Sequence, residues 1–336
     1  MDVTIRRFDA NLAPEAELAD YYRLMVAIAQ AWSGEPPGDY DAVIGSARKK
    51  ETVFGPTDRW AAYADGTLIG FVTVSLPQEA STHLAVVRVM VHPEQFGRGV
   101  GTALLRHVAG EIRAIGRTTI EAWNVPAGKV GEAWAHRRGF ATVKTTIQQR
   151  LDLAEVDPAG WQVEAPEGYH AVTWSGSAPE ELLVSFTEAQ NAIHDAPFGE
   201  AGFEFPQWTP ESVRAAEARL AESGVTQWVV AAVHDADGTV AFTELQLAAG
   251  WAKDTAVVNN TAVVERHRGH GLGVFIKARM NAWLRAERPD QTVIVTSVVN
   301  DAMVRVNEKT GFRSFLTTVV LNAELDSLRV EPEVGK

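Results

Sequence analysis

The spacing of hydrophobic and polar residues in the second half of the chain predicts an ordered series of strands and helices. Segments rich in β-branched and aromatic residues predict strands, and an Asp-Gly pair between two of them predicts a hairpin turn. Apolar residues three or four positions apart predict helices, one of which starts at Pro210 after the N-cap residue Thr209. The predicted strands are 169–174, 227–234, 240–247, 256–264, 292–298 and a closing strand pair within 313–321, and the predicted helices are 179–193, a helix from 210, 274–285 and 301–309.

The first half of the chain repeats this order, with strands at 60–63, 68–75, 85–91 and 118–123 and a helix at 102–115. Three separated landmarks recur at one offset of 172 residues: Gly99 and Gly271, Gly139 and Gly311, and Gly66 and Gly238. Because the segments between landmarks would otherwise have to keep their lengths independently, the offset indicates a duplication. The 336 residues are therefore divided into an N-terminal domain at 1–155, a linker at 156–167 and a C-terminal domain at 168–336.

Each copy has a glycine-rich segment between a predicted strand and a predicted helix, at 97–101 and 269–273. A helix N-terminus has unpaired N–H groups and partial positive charge, and glycines let the backbone approach an anion closely. Neither segment has the Lys-Ser or Lys-Thr of a P-loop, and the third glycine of a dinucleotide fingerprint is Thr102 in one copy and Val274 in the other. The segments predict a pyrophosphate site of another class.

Two patterns in the second copy resemble the GNAT superfamily of acetyl-CoA-dependent N-acetyltransferases: Arg-x-x-Gly-x-Gly over 268–273, and Asn-x-x-Met-x-x-x-Asn-x-x-x-Gly-Phe over 300–312. Both copies also have that family's order of strands and helices, so the resemblance covers nearly the whole chain. It implies the α/β (α+β) class, with two tandem GNAT folds that each have a mixed, mostly antiparallel central sheet flanked by helices. It also implies acetyl-CoA as the acyl donor, with no metal.

The resemblance assigns roles to residues of the C-terminal copy. Backbone groups of Val263 and Val264 would bind the pantetheine arm, and Asn300 would reach the pantetheine or the thioester. The pyrophosphate would be held by consecutive amides, those of Arg268, Gly269, His270, Gly271, Leu272 and Gly273. Family members often have a tyrosine that protonates the leaving thiolate; Asn307 stands at that position, where it can hydrogen-bond the sulfur but cannot supply a proton.

The N-terminal copy lacks the three polar side chains of these patterns. The residues at the positions of Arg268, Asn300 and Asn307 are Phe96, Gly128 and Ala135. Its glycines remain, so an anion can still bind there. We predict that the N-terminal copy is catalytically silent, with a vestigial or structural cofactor site as the alternative.

Glu244 is the candidate general base of the C-terminal copy. A lysine-like amine must lose a proton before it attacks a thioester, which favours a carboxylate in the cleft. Alternation along the strand puts Glu244 on the same face as Phe242 and Gln246, and the residue one offset earlier is Val72. The alternative is a glutamate that faces solvent.

The loop after the first helix of the C-terminal copy contains further candidates. His194, followed by Asp195, can act as a base or contact the acceptor, or it can simply stabilise a helix C-terminus. Asp195 and Glu204 would make the acceptor pocket anionic. Trp208 and Trp251 are predicted to pack rather than line the pocket, and His267 and His270 to contact phosphate rather than a metal.

Composition and net charge limit the kinds of binding partner that we expect. With 31 Lys and Arg against 43 Asp and Glu, the net charge of −12 disfavours nucleic acid as a partner. No segment has the length and apolar character of a signal peptide or membrane span, so we expect a cytoplasmic protein without a membrane partner, as a monomer or homodimer. The absence of cysteine predicts direct transfer from thioester to amine.

Three functions remain open at this stage. The first is acetylation of the amine of a small molecule or peptide-like metabolite. The second is a non-catalytic acyl-CoA sensor or structural tandem module, which the missing tyrosine and Phe96 favour. The third is transfer of a longer acyl group, or acylation of a protein lysine or N-terminus.

Overall fold

A computed structural model of the protein describes residues 2–33, 37–52, 54–78, 81–195, 202, 207–247 and 254–330. The chain forms two compact units. Unit 1 consists of Met1–Thr145, Gly199–Glu204 and Thr318–Lys336, and unit 2 consists of Thr146–Phe198 and Phe205–Thr317.

The elements follow one another in the order that the duplication predicts. The first copy contains β1 (Thr4–Arg7), α1 (Glu15–Ser33), α2 (Tyr40–Arg48), β2 (Glu51–Thr52), β3 (Gly55–Ala64), β4 (Thr67–Ser75), β5 (Leu84–Val91), α3 (Val100–Ala114), β6 (Thr119–Pro126), α4 (Val130–Arg137) and β7 (Ala141–Asp152). The second contains β8 (Tyr169–Ser175), α5 (Leu183–Asn191), α6 (Pro210–Glu222), β9 (Thr226–His234), β10 (Gly238–Leu247), β11 (Thr255–Val263), α7 (Leu272–Glu287), β12 (Val293–Val298), α8 (Asp301–Lys309) and β13 (Arg313–Glu324).

The sheets of the two units have the same topology. Unit 1 has the strand order β1-β3-β4-β5-β6-β13, with β2 paired to β3, and unit 2 has the order β7-β12-β11-β10-β9-β8. In each sheet one inner pair is parallel, β5 with β6 and β11 with β12, and the other pairs along these orders are antiparallel. These mixed, mostly antiparallel sheets confirm the predicted fold class.

The final strand of each sheet comes from the other half of the chain. Residues 318–324 of β13 pair with β6 and complete the sheet of unit 1. Residues 147–152 of β7 pair with β12 and complete the sheet of unit 2. The compact units therefore differ from the contiguous sequence domains at both of these strands, because the duplication describes sequence whereas the units describe packing.

Helices cover both faces of each sheet. In unit 1, apolar side chains of α3 pack on one face, and those of α1 and α2 pack on the other. In unit 2, α7 covers one face, whereas α5 and α6 cover the other. The face covered by α5 and α6 contains Phe242, which meets Phe186 of α5 edge to face.

Some helix and strand bounds agree with the predictions, and others differ. Helix α8 has the predicted bounds, and Thr209 caps α6 through a capping box with Ser212. The predicted helix at 179–193 is shorter, because α5 is flanked by 3-10 turns at Glu180–Leu182 and Ala192–Asp195. The predicted strand pair within 313–321 is wrong, since one continuous strand, β13, occupies this stretch.

The predicted linker is also ordered where it contains Trp161. Residues Pro158–Trp161 form a 3-10 turn, Trp161 is buried, and its Nε1 donates to the carbonyl oxygen of Thr310 at 2.9 Å. Within the described ranges, no helix combines the length and apolar composition needed to cross a bilayer.

Candidate functional site

The glycine loop of the second copy connects β11 to α7. After a 3-10 turn at Glu265–His267, Gly269 and Gly271 adopt φ of +84° and +79°, and Gly271 is the N-cap of α7 without a side-chain cap. No atom would crowd a Cβ at either glycine, so the left-handed backbone is what favours glycine there. The first-turn amides of α7 therefore have no capping side chain and are suited to an anion.

Arg268 fastens this loop to the end of β11. Its Nε donates to the carbonyl oxygen of Val263 at 3.0 Å, while the side chain as a whole is exposed. Gly273 lies in the first turn of α7, where a Cβ would meet the Val306 side chain of α8 at 3.4 Å. The motif residues thus shape the loop as well as leaving its amides accessible.

At the end of β11, the backbone N–H and C=O groups of neighbouring residues point toward different partners. Val264 donates its N–H to the carbonyl oxygen of Val240 at 2.9 Å and accepts from the N–H of His267 at 2.9 Å, so both its groups are used within the fold. Since alternate residues of an antiparallel strand face opposite neighbours, Thr261 and Val263 direct their backbone groups away from β10. Their neighbour on that side, β12, pairs with β11 only as far as Val258, so an extended chain can hydrogen-bond there.

His267 lies beneath the loop rather than on its anion-facing surface. It is buried, its Nδ1 is 3.0 Å from the hydroxyl of Tyr169, and its Nε2 is 3.4 Å from a carboxylate oxygen of Asp237. His234 Nδ1 lies 3.0 Å from that same oxygen. Burial, followed by the charge of Arg266, lowers the pKa of His267.

The two histidines of the motif therefore differ. The expected phosphate contact does not fit His267, because its ring is enclosed by Tyr169 and Asp237. His270 is exposed, with Nδ1 3.2 Å from the carbonyl oxygen of His267. Across the described part of the chain, no group of three or more His, Asp or Glu side chains is placed to hold a metal ion.

Glu244 lies on β10, on the face covered by α5. The residue is only 3% exposed, so the solvent-facing alternative is wrong. Gln190 of α5 donates to Oε1 at 3.2 Å, and Asn259 and Asn260 of β11 donate to Oε2 at 3.3 and 2.9 Å. Burial raises the pKa of Glu244 to about 7, against the opposing effect of hydrogen bonds from the two asparagines.

A bulge in β11 brings these two asparagines to one carboxylate. Thr243 pairs with Thr261, whereas Leu245 pairs with Val258, so β11 contains one more residue than β10 over this stretch. In a regular strand, consecutive side chains point to opposite faces. The bulge removes that restriction, and both Asn259 and Asn260 reach Glu244.

Packing shows which residue of the first copy corresponds to Glu244. Phe71 of β4 packs against the helices α1 and α2, as Phe242 packs against α5. Two residues beyond Phe71 is Thr73, so Thr73 corresponds to Glu244. Val72, which the glycine offset selects, instead faces α3.

The corresponding strand pair of the first copy is regular. β4 and β5 pair without a register shift from Gly70 with Val91 to Ser75 with Val86. Thr73 is opposite Arg88, whose guanidinium lies over the Trp32 ring of α1. Where the second copy has a carboxylate with two asparagines, the first therefore has a threonine opposite a cation.

His194 lies in the 3-10 turn Ala192–Asp195 after α5. Its Nε2 is buried and has no hydrogen-bond partner among the residues that the structure describes. The Asp195 side chain, Glu204 and Trp251 fall outside the described residues. Trp208 packs with the α5 and α6 core and exchanges hydrogen bonds with Asn191, as predicted for a packing residue.

Asn300 and Asn307 both have structural partners. Asn300 is the N-cap of α8, and its Oδ1 accepts from the N–H of Met303 at 2.8 Å. Asn307 is 0% exposed and donates to Oε1 of Gln149 at 2.7 Å, while its own Oδ1 is buried and has no partner within the described ranges. Because the Asn307 side chain is buried and bonded to Gln149, its expected contact with a thioester sulfur would require the surrounding packing to change.

Sequence reasoning missed several polar residues around these candidates: Gln190, Asn259, Asn260, Tyr169 and Gln149. One signal was available, because two consecutive asparagines within a strand-forming segment are unfavourable in a regular strand. The others come from elements remote in sequence, and only the fold brings them to Glu244, His267 and Asn307.

The first copy has the same loop geometry without the same side chains. Gly97 and Gly99 adopt φ of +75° and +84°, and Gly99 is the N-cap of α3. Phe96, at the position of Arg268, is 45% exposed. The same glycine-loop conformation is therefore present in both copies.

Comparisons with known proteins agree with this architecture. Residues 21–140 match the acetyltransferase (GNAT) family, a stretch within the first copy. The mycothiol acetyltransferase of Nocardia farcinica is 26% identical over 313 residues, covering 93% of this chain and 95% of that protein. A tandem GNAT protein from the clavulanic acid biosynthesis pathway has a TM-score of 0.75 at 26% identity, over 96% of this chain and 99% of that chain.

A GCN5-related N-acetyltransferase from Sphaerobacter thermophilus shares the fold, with a TM-score of 0.72 at 18% identity over 96% of both chains. Residues 21–140 therefore contain a GNAT acetyltransferase domain, and the fold of the whole chain, with its two tandem copies, is similar to that of a tandem GNAT protein. The chain is an acyltransferase, and its doubled architecture is similar to that of the tandem GNAT protein from the clavulanic acid biosynthesis pathway.

Proposed function

We infer that the C-terminal copy transfers an acetyl group from acetyl-CoA directly to the amine of a small molecule or peptide-like metabolite. The observation that carries this proposal is the buried carboxyl of Glu244, with a pKa of about 7, on the strand beside the one that leads into the glycine loop. A base with this pKa is about half ionised at neutral pH, where it can accept a proton.

The donor would bind along β11 and the start of α7. The first-turn amides of α7 and the exposed Arg268 supply positive charge for the pyrophosphate. For the pantetheine arm we revise the expected groups from the backbone of Val263 and Val264 to the backbone of Thr261 and the N–H of Val263, because both backbone groups of Val264 and the carbonyl of Val263 bond within the fold.

The reaction requires one proton to leave the amine and one to reach the sulfur. The amine nitrogen attacks the thioester carbonyl carbon while its proton passes to the carboxylate of Glu244. The carbon–sulfur bond then breaks, and CoA leaves as a thiolate. The Asn307 amide has no acidic proton to transfer, so we assign protonation of the thiolate to water or to the protonated Glu244. No acyl-cysteine intermediate is possible, because the chain has no cysteine.

The acceptor is proposed from chemistry and from the relatives. The clustered amide groups and carboxyl around Glu244 suit a polar amine. The Nocardia farcinica relative is named for acetylation connected with mycothiol, so mycothiol-related amines come first in an acceptor panel. The tandem GNAT protein from the clavulanic acid pathway is also 26% identical to this chain, so the panel must also include amines unrelated to mycothiol.

Glu244→Gln tests this function, and Glu121→Gln provides a matched control. Glu121 is also a fully buried carboxyl, but it lies in unit 1 and accepts from Trp123 and Asn322. We expect Glu244→Gln to lower kcat/KM by about 10²- to 10³-fold and to remove the limb of the pH–rate profile near pH 7. Release of CoA, measured with the amine panel, reports both.

The control decides which copy is active. If Glu121→Gln lowers the rate as much as Glu244→Gln, the assignment to the C-terminal copy is wrong. If calorimetry detects no binding of acetyl-CoA to the wild-type protein, the sensor and enzyme proposals both fail and a structural tandem module is the remaining function.

A further inference from the structure

The carboxyl of Glu244 is held from two sides of the fold. Gln190, one turn beyond Phe186 on α5, reaches Oε1, and Asn260, on the neighbouring strand, reaches Oε2 at 2.9 Å. Gln190 is 5% exposed, so its amide has no alternative partner in bulk water. A buried polar group that makes a hydrogen bond across secondary-structure elements fixes the orientation of its partner.

Access to the carboxyl is asymmetric. Gln190 closes the side toward the helix, and Phe242 packs on the same face of β10. Asn259 is exposed and Asn260 is partly exposed. The asparagines therefore lie on the more exposed side of the carboxyl, whereas Gln190 holds it from the buried side.

The first copy replaces the donors together with the carboxyl. Thr73 stands at the position of Glu244, Arg88 is opposite Thr73, and the pairing has no bulge. Tyr21 of α1 contacts Phe71 as Phe186 contacts Phe242, and the residue one turn beyond Tyr21 is the partly buried apolar Met25. Donor residues and carboxyl thus occur together in one copy and are absent together from the other.

We propose that Gln190 and Asn260 are positioning residues, which hold the carboxyl of Glu244 in one orientation while it is buried, with Asn259 as a third donor. The inference rests on the proposed function for its catalytic consequence, but the hydrogen-bonded arrangement can be tested without activity. Loss of either donor leaves the ionised carboxyl with less compensation for burial, so the carboxyl should hold its proton to a higher pH.

The charged and titratable groups around Glu244 are few. Glu217 of α6 opposes its ionisation, but Glu217 is itself bound by Arg214 and by the N–H of Ala178. His194 lies in the turn after α5. Because neither Gln190 nor Asn260 titrates, a change in the titration of Glu244 on their substitution reports hydrogen bonding rather than a new charge.

Gln190→Met and Asn260→Leu keep side-chain length or shape and remove the donor. Thr187→Val is the matched control, since Thr187 is buried on the same helix and its hydroxyl donates to the carbonyl oxygen of Leu183. The direct readout is the carboxyl carbon resonance of Glu244 in ¹³C-labelled full-length protein, assigned with Glu244→Gln. We expect the titration midpoint to rise by about one unit in both donor variants and to stay unchanged in Thr187→Val.

The activity profile is the second readout. In both donor variants the acidic limb of kcat/KM should move toward alkaline pH by the same amount, with about a tenfold loss at pH 6 and a smaller loss at pH 9, while the KM for acetyl-CoA is unchanged. A midpoint that does not move in the folded donor variants, or a loss of rate equal at all pH values, overturns the proposal. If instead the midpoint moves while Glu244→Gln retains the acidic limb, the positioning role stands and the proposed role of Glu244 as base fails.

Discussion

The two copies have the same glycine-loop backbone and different neighbouring strands. In both, positive-φ glycines lead into a helix whose N-cap is a glycine, at Gly99 and at Gly271. The strands beside the loops differ: β4 and β5 form a regular ladder, whereas β10 and β11 contain a bulge and a buried glutamate.

This difference separates binding from chemistry. An anion-binding loop depends mainly on backbone conformation, which glycines alone can retain. A buried base depends on several side chains, since an isolated buried carboxylate costs free energy unless hydrogen bonds compensate it. The first copy lacks both the carboxyl and the asparagines, since Thr73 and Arg88 pair there in a regular ladder.

The largest expected effect is on the free energy of unfolding, and it comes from the burial of the Glu244 carboxyl in the second copy. Its pKa is raised from 4.5 to about 7, so the folded state holds the proton more tightly than the unfolded state. Its contribution to stability is complete below about pH 4.5 and is lost as the pH rises through about 7. At pH 8 we expect Glu244→Gln to increase the free energy of unfolding by up to about 3 kcal/mol, and at pH 4 to change it little.

Urea unfolding across this pH range measures that difference. Thr243→Val is the control, because it removes the neighbouring hydroxyl pair with Thr261 without removing a titratable group. Its effect on stability should be independent of pH. A pH-independent effect of Glu244→Gln would contradict the raised pKa.

A smaller effect is expected at the residue that distinguishes the two loops. Arg268→Ala should raise the Kd for acetyl-CoA about tenfold, because it removes a cation from the loop and releases the tie to Val263. Phe96→Ala, at the equivalent position of the first copy, should leave that Kd unchanged. Calorimetric titration of each variant measures both, and equal effects would show that the cofactor binds in the other copy as well.

The smallest effect concerns the glycines that the copies share. Gly271→Ala and Gly99→Ala each place a Cβ at positive φ in open space, so we expect each to lower the stability by about 1 kcal/mol through backbone strain alone. Only Gly271→Ala should weaken acetyl-CoA binding. Thermal unfolding with and without acetyl-CoA separates the two effects, and unequal destabilisation without ligand would mean that the loops are not equivalent.

Much of the fold follows from local sequence signals. The Thr209 cap and the bounds of α8 depend on residues within a few positions, so periodicity and capping preferences predict them. The helices after the two glycine loops start two residues earlier than predicted, at Val100 and Leu272. The assignment of Glu244 to the face of Phe242 was also available from alternation. Its burial was not, because that depends on α5 and on the bulge in β11.

The offset of 172 residues between the glycines of the two copies does not hold within β4 and β10. Compared with the first copy, the second has one residue fewer between Gly238 and Val240 and one more in β11, so the glycine offset is restored by compensation. Within the intervening strand the offset selects Val72 instead of Thr73. A register change of one residue reverses the face of a strand, and only the packing reveals it.

The exchange of final strands has a consequence for how this protein can be divided. A cut at the sequence boundary would deprive one sheet of residues 318–324 and the other of residues 147–152. Each sheet would then end in an open edge, β6 in one fragment and β12 in the other, which is a site for aggregation. Each sheet depends on a strand from the other half of the chain, so the first copy is needed to complete the sheet of unit 2 whether or not it has any chemistry of its own.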